Sequence, residues 1–293
     1  MSLSRLKDNK NAFPWLMLTP CLVFLLLFLL VPILLLVDQS LTEVDELLEP
    51  LPGFSLTQYI AVFTQYDYLY ALWTTLWVSV LTAMLTVLLA WPAAWLLVTT
   101  RRRTWRTLLY IILISPLLTS VVIRTFAWIV LLAQNGLVNS VLMATSLIPQ
   151  PLSLLWNMNA VIIAYVQVML PFAVLPLITS LNEMAPSLRL ASMSLGATPS
   201  QTFRWVVLPL TLPGMVTGFV IVFSLAAGSY ITPLLIGGRL QPLLPISFYQ
   251  QAMQIANLPM AAALSLTLLV MTLLVAGAAG QVLKRWERKN HGH

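Results

Sequence analysis

Long apolar runs alternate with short polar breaks along the whole chain. A helix needs roughly 20 predominantly apolar residues to cross a bilayer. Phe13–Val37, Tyr70–Val98, Leu108–Ala133, Asn159–Leu181, Leu210–Ile236 and Leu258–Leu283 each reach that length. The pattern predicts an all-α membrane protein with six transmembrane helices. Residues 13–283 form one membrane domain between short tails, 1–12 and 284–293. The break Thr99–Thr107 is short enough to make the second and third spans a helical hairpin. The basic start and first apolar run imitate a signal peptide. That run is longer than an ordinary signal core, and no small-x-small cleavage site follows it before Asp38, so it reads as a retained span.

One polar island stands out, Leu188–Gly214, inside the break 182–209. It reads as two short helices joined at a glycine. Pro186 suits a first helical position, where its missing N–H has no partner to lose. Gly196 can end that helix in a left-handed conformation. Thr198 then caps a second helix, with Pro199 at its first position and Gln201 closing a Thr-x-x-Gln capping box. Pro209 is expected to stop this second helix, and Pro213-Gly214 to open the next span. So much local specification between two spans predicts a surface that holds a partner.

The basic residues set the orientation. Arg5, Lys7 and Lys10 precede the first span, and Arg101, Arg102, Arg103 and Arg106 lie between the second and third. Arg189 and Arg204 lie in the polar island, and Lys284, Arg285, Arg288 and Lys289 follow the last span. An even number of spans puts all of these on one side, so both termini are expected to be cytoplasmic. The opposite side carries Asp38, Glu43, Asp45, Glu46, Glu49 and Asp67, with Arg239 its only base. The net charge of +6 therefore reflects topology. Nothing suggests a basic folded face for nucleic acid. The outward break Asp38–Asp67 holds Pro50-Leu51-Pro52-Gly53 and a candidate short helix, Leu56–Phe63. Asn135-Gly136 signals a turn in the next outward break, and Gly237-Gly238 lies in the last.

Composition narrows the class further. The chain is 59% hydrophobic and 8% charged, whereas soluble domains carry about 25% charged residues. The single cysteine, Cys21, lies in an apolar run, and the two histidines, His291 and His293, lie at the very end. No disulfide framework or metal site is expected. There is no G-x-x-x-x-G-K-[ST] phosphate loop, zinc helix motif or nucleophile elbow, so no enzyme activity is expected of this chain.

The spacing Leu190-Ala191-Ser192, Gly196-Ala197-Thr198-Pro199 and Val206-Val207-Leu208-Pro209 resembles the EAA loop of permease subunits in binding-protein-dependent ABC importers. The usual Glu-Ala-Ala is here Leu190-Ala191-Ser192, without the glutamate. Pro116, Arg124-Thr125-Phe126-Ala127-Trp128, Asn135-Gly136-Leu137-Val138-Asn139 and Leu208–Gly214 resemble the spermidine/putrescine branch. The resemblance implies a type I (MetI-like) permease bundle in a bacterial inner membrane, surrounded by lipid. Leu190, Ala191, Ser192, Gly196, Ala197, Thr198, Pro199, Leu208 and Pro209 would form its ATPase-coupling segment. It also implies a dimer of ATPase subunits that holds ATP and Mg, a second permease chain and an external substrate-binding protein. This chain itself would carry no cofactor.

Arg124 is the only formally charged side chain well inside a predicted span. Such a charge is costly and normally faces a cavity or a partner. It either lines the translocation path or reaches outward to headgroups or loop acids. Trp128, Gln167, Tyr230 and Asp67 complete the candidates for a substrate path. A polyamine would want carboxylates and aromatic faces, yet no span contains a carboxylate well inside it. An anionic or zwitterionic solute, such as an aminophosphonate, would suit Arg124 better. Both substrates stay open at this point. A standalone secondary transporter would need buried ionisable residues for ion coupling, and Arg124 alone is a poor supply.

Overall fold

The protein is described here by a computed structural model covering residues 12–45, 47, 49–237 and 242–291. Arg5, Lys7, Lys10, Glu46, Gly238, Arg239 and His293, all named above, lie outside the described residues. The chain opens with α1 (Ala12–Ser40), a two-stranded antiparallel hairpin of β1 (Thr42–Val44) and β2 (Pro50–Phe54), and α2 (Thr57–Thr64). Then follow α3 (Tyr66–Thr99), α4 (Arg103–Ile114), α5 (Val121–Leu132), α6 (Leu137–Ala144) and α7 (Met158–Glu183). Next come α8 (Pro186–Ser194), α9 (Pro199–Thr202), α10 (Leu208–Gly228), α11 (Leu244–Gln250) and α12 (Leu258–His291).

Among the described residues, six helical stretches are long and apolar enough to cross a membrane. They are Met17–Ser40, Tyr66–Thr99, Val121–Ala144, Met158–Glu183, Pro199–Gly228 and Leu258–Arg288. Four agree in kind with the expected spans, and two differ.

The third run is not one helix. It is α4, a 3-10 turn over Ser115–Leu118, a break at Thr119-Ser120, and α5. Pro116 has no N–H to continue an α-helix, and Thr119 takes an extended conformation. The apolar stretch therefore shifts along the chain to Val121–Ala144, across the Asn135-Gly136 turn. The fifth run also breaks, because α10 ends at Gly228 and Ser229 is extended. Pro233 belongs to a separate π-helical turn, Pro233–Gly237, not to the span.

Helices α3, α7 and α10 pack against one another and make the centre of the bundle. The inward stripe of α3 is small: Ala71, Thr75, Val78, Thr82, Thr86, Ala90 and Ala94 recur every three or four residues and are all buried. Small side chains let helices approach closely where lipid supplies no hydrophobic drive. Thr75 and Thr86 satisfy their hydroxyls locally, donating to the carbonyls of Ala71 and Thr82 at 2.7 Å each. On α10, Gly214 and Gly218 face α7 without room for a Cβ. An added Cβ would stand 2.7 Å from the Pro176 carbonyl at Gly214, and 3.2 Å from Ala173 at Gly218. By contrast, α1 packs mainly on α12 and leaves nearly all of Met17–Val37 exposed, burying Ser40 at its end. Its leucines are apolar all round, as a helix surrounded by lipid requires.

Candidate functional site

The polar island folds as its sequence predicts over its first half. Pro186 occupies the first turn of α8. Gly196 sits at φ +91°, and the amides of Gly196 and Ala197 donate to the carbonyls of Met193 and Ser192 at 3.0 and 3.1 Å. That pair of bonds is a Schellman termination. Thr198 then caps α9: its hydroxyl accepts from the Gln201 amide at 3.3 Å, and the Gln201 side chain accepts from the Thr198 amide at 2.8 Å. A hydrogen bond between the hydroxyls of Ser192 and Thr202, 2.8 Å long, ties the two pieces together.

The second half corrects the expectation for Pro209. It does not stop the helix. A π-helical turn, Phe203–Val207, joins α9 to α10, with the Leu208 amide donating to the Phe203 carbonyl. The helical path therefore runs unbroken from Pro199 to Gly228. A wide turn just before a proline absorbs the missing N–H that would otherwise interrupt the ladder. The segment is thus the bent first part of a membrane helix, and a displacement of α9 is passed directly to α10.

This segment exposes large apolar side chains: Leu195 is 89% exposed, Trp205 72% and Leu190 65%. Ser192, Leu195, Gly196, Ala197, Gln201 and Trp205 line an open notch of about 430 Å³. On its inner side the segment is anchored to the bundle. The Arg189 guanidinium lies over the Trp95 ring, and Trp95 stacks on Trp91 with centroids 5.6 Å apart. Trp91 meets Phe203 edge-on at 4.7 Å and donates its indole N–H to Thr211 at 3.2 Å.

The membrane candidates separate into three places. Trp128 and Gln167 meet, the indole N–H donating to the Gln167 carbonyl oxygen at 3.2 Å. Arg124 lies one turn from Trp128 on α5. Its guanidinium donates back to the Pro116 carbonyl, which also accepts from the Thr119 amide at 3.4 Å, while its Nε is buried without a partner. Arg124 thus clips the break instead of reaching a loop acid. Tyr230 stacks on Tyr249 with centroids 5.0 Å apart. Beside it, the Tyr165 hydroxyl donates to the Ser229 carbonyl at 2.9 Å, holding the C-terminal end of α10 against α7. Asp67 lies elsewhere, in the first turn of α3, on the wall of a separate cavity.

Two features extend the sequence reading. Gly136 and Asn139, named there as part of a turn and of the family-like stretch Asn135–Asn139, fasten the C-terminal end of the third run. A Cβ at Gly136 would come within 2.5 Å of two carbonyls of α5. The buried Asn139 side chain donates to Ala133 and Leu152 and accepts from the Leu152 amide at 2.9 Å. The second is an open groove of about 560 Å³ between α4, α7 and α10, where Tyr110, Phe172, Thr179, Ser180, Gly214 and Thr217 meet. A Gly-x-x-x-Gly spacing, Gly214 to Gly218, was the signal available for it.

Comparison with known proteins defines the class. Residues 86–288 match the family of binding-protein-dependent transport system inner membrane components, and the chain belongs to that family. It is a multi-pass inner-membrane permease subunit of an ABC importer, and not itself an enzyme. Among individual proteins, it is 33% identical to the Escherichia coli inner membrane ABC transporter permease protein YdcU, over 62% of each chain. It is 29% identical to the Salmonella typhimurium spermidine/putrescine permease PotB, over 94% of this chain and 97% of that one. Its fold matches a subunit of a bacterial alginate ABC transporter with a TM-score of 0.76, at 20% identity over 95% and 98% of the two chains.

Proposed function

We propose that this chain translocates a polyamine, of the putrescine or spermidine type, that an external binding protein delivers. The Arg-rich side is cytoplasmic, and both termini lie there. A second permease chain completes the path, and two ATPase subunits holding ATP and Mg bind the segment Pro186–Pro209. The observation that supports this most is the exposed, doubly capped apolar knob at Leu190, Leu195 and Trp205. A soluble partner is the economical explanation for such a surface at a membrane boundary. Closure of the ATPase dimer moves α8 and α9 as one body, and the unbroken helix into α10 carries that motion to the groove beside α7. The bundle then exchanges between two arrangements that open to opposite sides.

The polyamine assignment rests on the nearly full-length similarity to PotB. A second reading, an anionic or zwitterionic solute, is favoured by the buried and unpartnered Arg124 Nε. The test is purification of the complex from its native membrane in mild detergent, followed by mass spectrometry of proteins and small molecules. The proposal expects an ATPase, a second permease and a binding protein carrying a polyamine. A binding protein carrying a phosphonate would transfer the assignment to the second reading. Recovery of the chain alone, beside intact control complexes, would contradict both.

A further inference from the structure

Arg101, Arg102, Arg103 and Arg106 crowd the link between α3 and the start of α4, and all of them are exposed. The chain has little of its own to neutralise them: between Asp67 and Glu287 its only acid is Glu183. The helix they begin is short. At 12 residues, α4 is about 18 Å long, less than the ~30 Å hydrocarbon core of a bilayer. Trp105, Leu108 and Ile112 recur along it at helical spacing and are exposed, as is Ile111. The helix therefore combines a basic start with an uncovered apolar stripe.

A second feature adjoins the same link. An open slot of about 250 Å³ lies where the C-terminal ends of α3 and α7 meet α8. Val98 and Thr99 line it, which brings its wall to within two residues of Arg101. Leu181, Met184 and Leu190 make the slot apolar, and Arg189 is the only charged residue lining it. The Arg189 guanidinium lies over the Trp95 ring, 5.5 Å from its centroid. A small water-soluble ligand gains little from such walls. A molecule with an apolar tail and an anionic head matches both the slot and the arginines beside it.

We propose that this surface binds an anionic phospholipid of the surrounding bilayer. The arginines of the link take the phosphate, whose oxygens suit the guanidinium fork. Trp105 sits at headgroup depth, where tryptophan is enriched. The slot and the apolar stripe of α4 accept the chains. Carboxylates of a soluble partner would answer the arginines and leave Leu108, Ile111 and Ile112 uncovered, whereas one lipid satisfies charge and apolar surface together. The bound lipid bridges the α3–α4 link to α8, so it steadies the base of the exposed segment. The site stands on this surface alone and is independent of the polyamine reading.

The test uses the chain in its purified complex, in mild detergent, with dioleoyl-phosphatidylglycerol and dioleoyl-phosphatidylcholine as competing probes and bound lipid counted by native mass spectrometry. The wild type should retain phosphatidylglycerol roughly tenfold better than phosphatidylcholine. The triple change Arg101→Gln, Arg102→Gln and Arg103→Gln should abolish that preference while the other subunits still co-purify. Thr99→Phe, which narrows the slot and keeps every arginine, should weaken phosphatidylglycerol binding several-fold. A charge-matched control, Lys284→Gln, Arg285→Gln and Arg288→Gln, should leave the preference in place. Equal retention of both lipids by the wild type, or equal loss of the preference in the control, would overturn the proposal. A triple variant that keeps the preference but loses its soluble subunits would assign the arginines to a protein partner and overturn it as well.

Discussion

The Arg189 guanidinium lies 5.5 Å from the centroid of the Trp95 ring. This contact joins the exposed segment Pro186–Pro209 to the C-terminal end of α3. Trp95 leads to Trp91, and Trp91 leads to both Phe203 and Thr211. One side chain of α3 therefore touches the knob and the membrane helix it feeds. The segment has two mechanical routes into the bundle, one through the backbone of α10 and one through this aromatic ladder.

Removal of the ladder should loosen that joint. Trp91 is half-buried, so Trp91→Ala should cost about 2 kcal/mol of stability, short of a fully buried aromatic. Transport should fall several-fold more than ATPase binding does. Arg189→Ala should act in the same direction and more weakly, because an exposed cation–π pair contributes little. Paired measurements of ATPase co-purification and uptake decide this; equal losses in both would make the ladder a purely structural prop.

Gly196 holds φ +91° with open space where a Cβ would go. Backbone conformation, not crowding, therefore sets the cost of substitution. Gly196→Ala should destabilise the turn by about 1 kcal/mol, and Thr198→Ala should add a similar loss from the cap. Gly196→Asp adds a charge to the apolar notch and should abolish uptake while leaving the membrane fold intact. Normal uptake in Gly196→Asp would remove the segment from the mechanism.

Gly214 behaves oppositely. A Cβ there meets Ser180 Oγ at 2.6 Å and the Pro176 carbonyl at 2.7 Å. Gly214→Ala should cost about 1–3 kcal/mol by overpacking, read as a lowered melting temperature in detergent. Ser180→Gly should not restore it, because the Pro176 carbonyl stays in place. Full rescue by Ser180→Gly would show that the side chain, and not the helix backbone, sets the spacing.

Arg124 and the Thr119 amide share the Pro116 carbonyl. Arg124→Ala should remove the side-chain clip across the break and abolish transport while the complex still assembles. Arg124→Lys keeps the charge but loses the fork, and should recover only part of the activity. Unchanged uptake in Arg124→Ala would exclude the residue from the path and from the clip.

What could be read from the sequence follows how local each feature is. The Schellman turn at Gly196 and the capping box at Thr198 involve neighbours within a few residues, and both were legible to the residue. The break at Ser115–Ser120 was not. Pro116 announces a bend, yet the contact that spans it, Arg124 reaching back eight positions to the Pro116 carbonyl, has no local sequence signature. The continuation through Pro209 was hidden for a similar reason, since a π turn at Phe203–Val207 has no periodic signature. The hairpin Thr42–Val44 with Pro50–Phe54 was also missed, because two prolines and a glycine read as loop. Of the substrate-path candidates Arg124, Trp128, Gln167, Tyr230 and Asp67, Trp128 and Gln167 are in contact, while Tyr230 and Asp67 lie at other places. Those separations depend on which helix ends meet, and no single-chain pattern encodes that.

The central claim is that Pro186–Pro209 is the seat of a soluble ATPase. Leu195 is the most direct probe, being 89% exposed at the tip of the knob. A photo-crosslinking amino acid at position 195, in the transporter within its native membrane, should capture the ATPase subunit. The yield should change with ATP, and the adduct should be lost in Gly196→Asp. Capture of lipid alone, or of no protein under conditions where uptake is normal, would contradict the account.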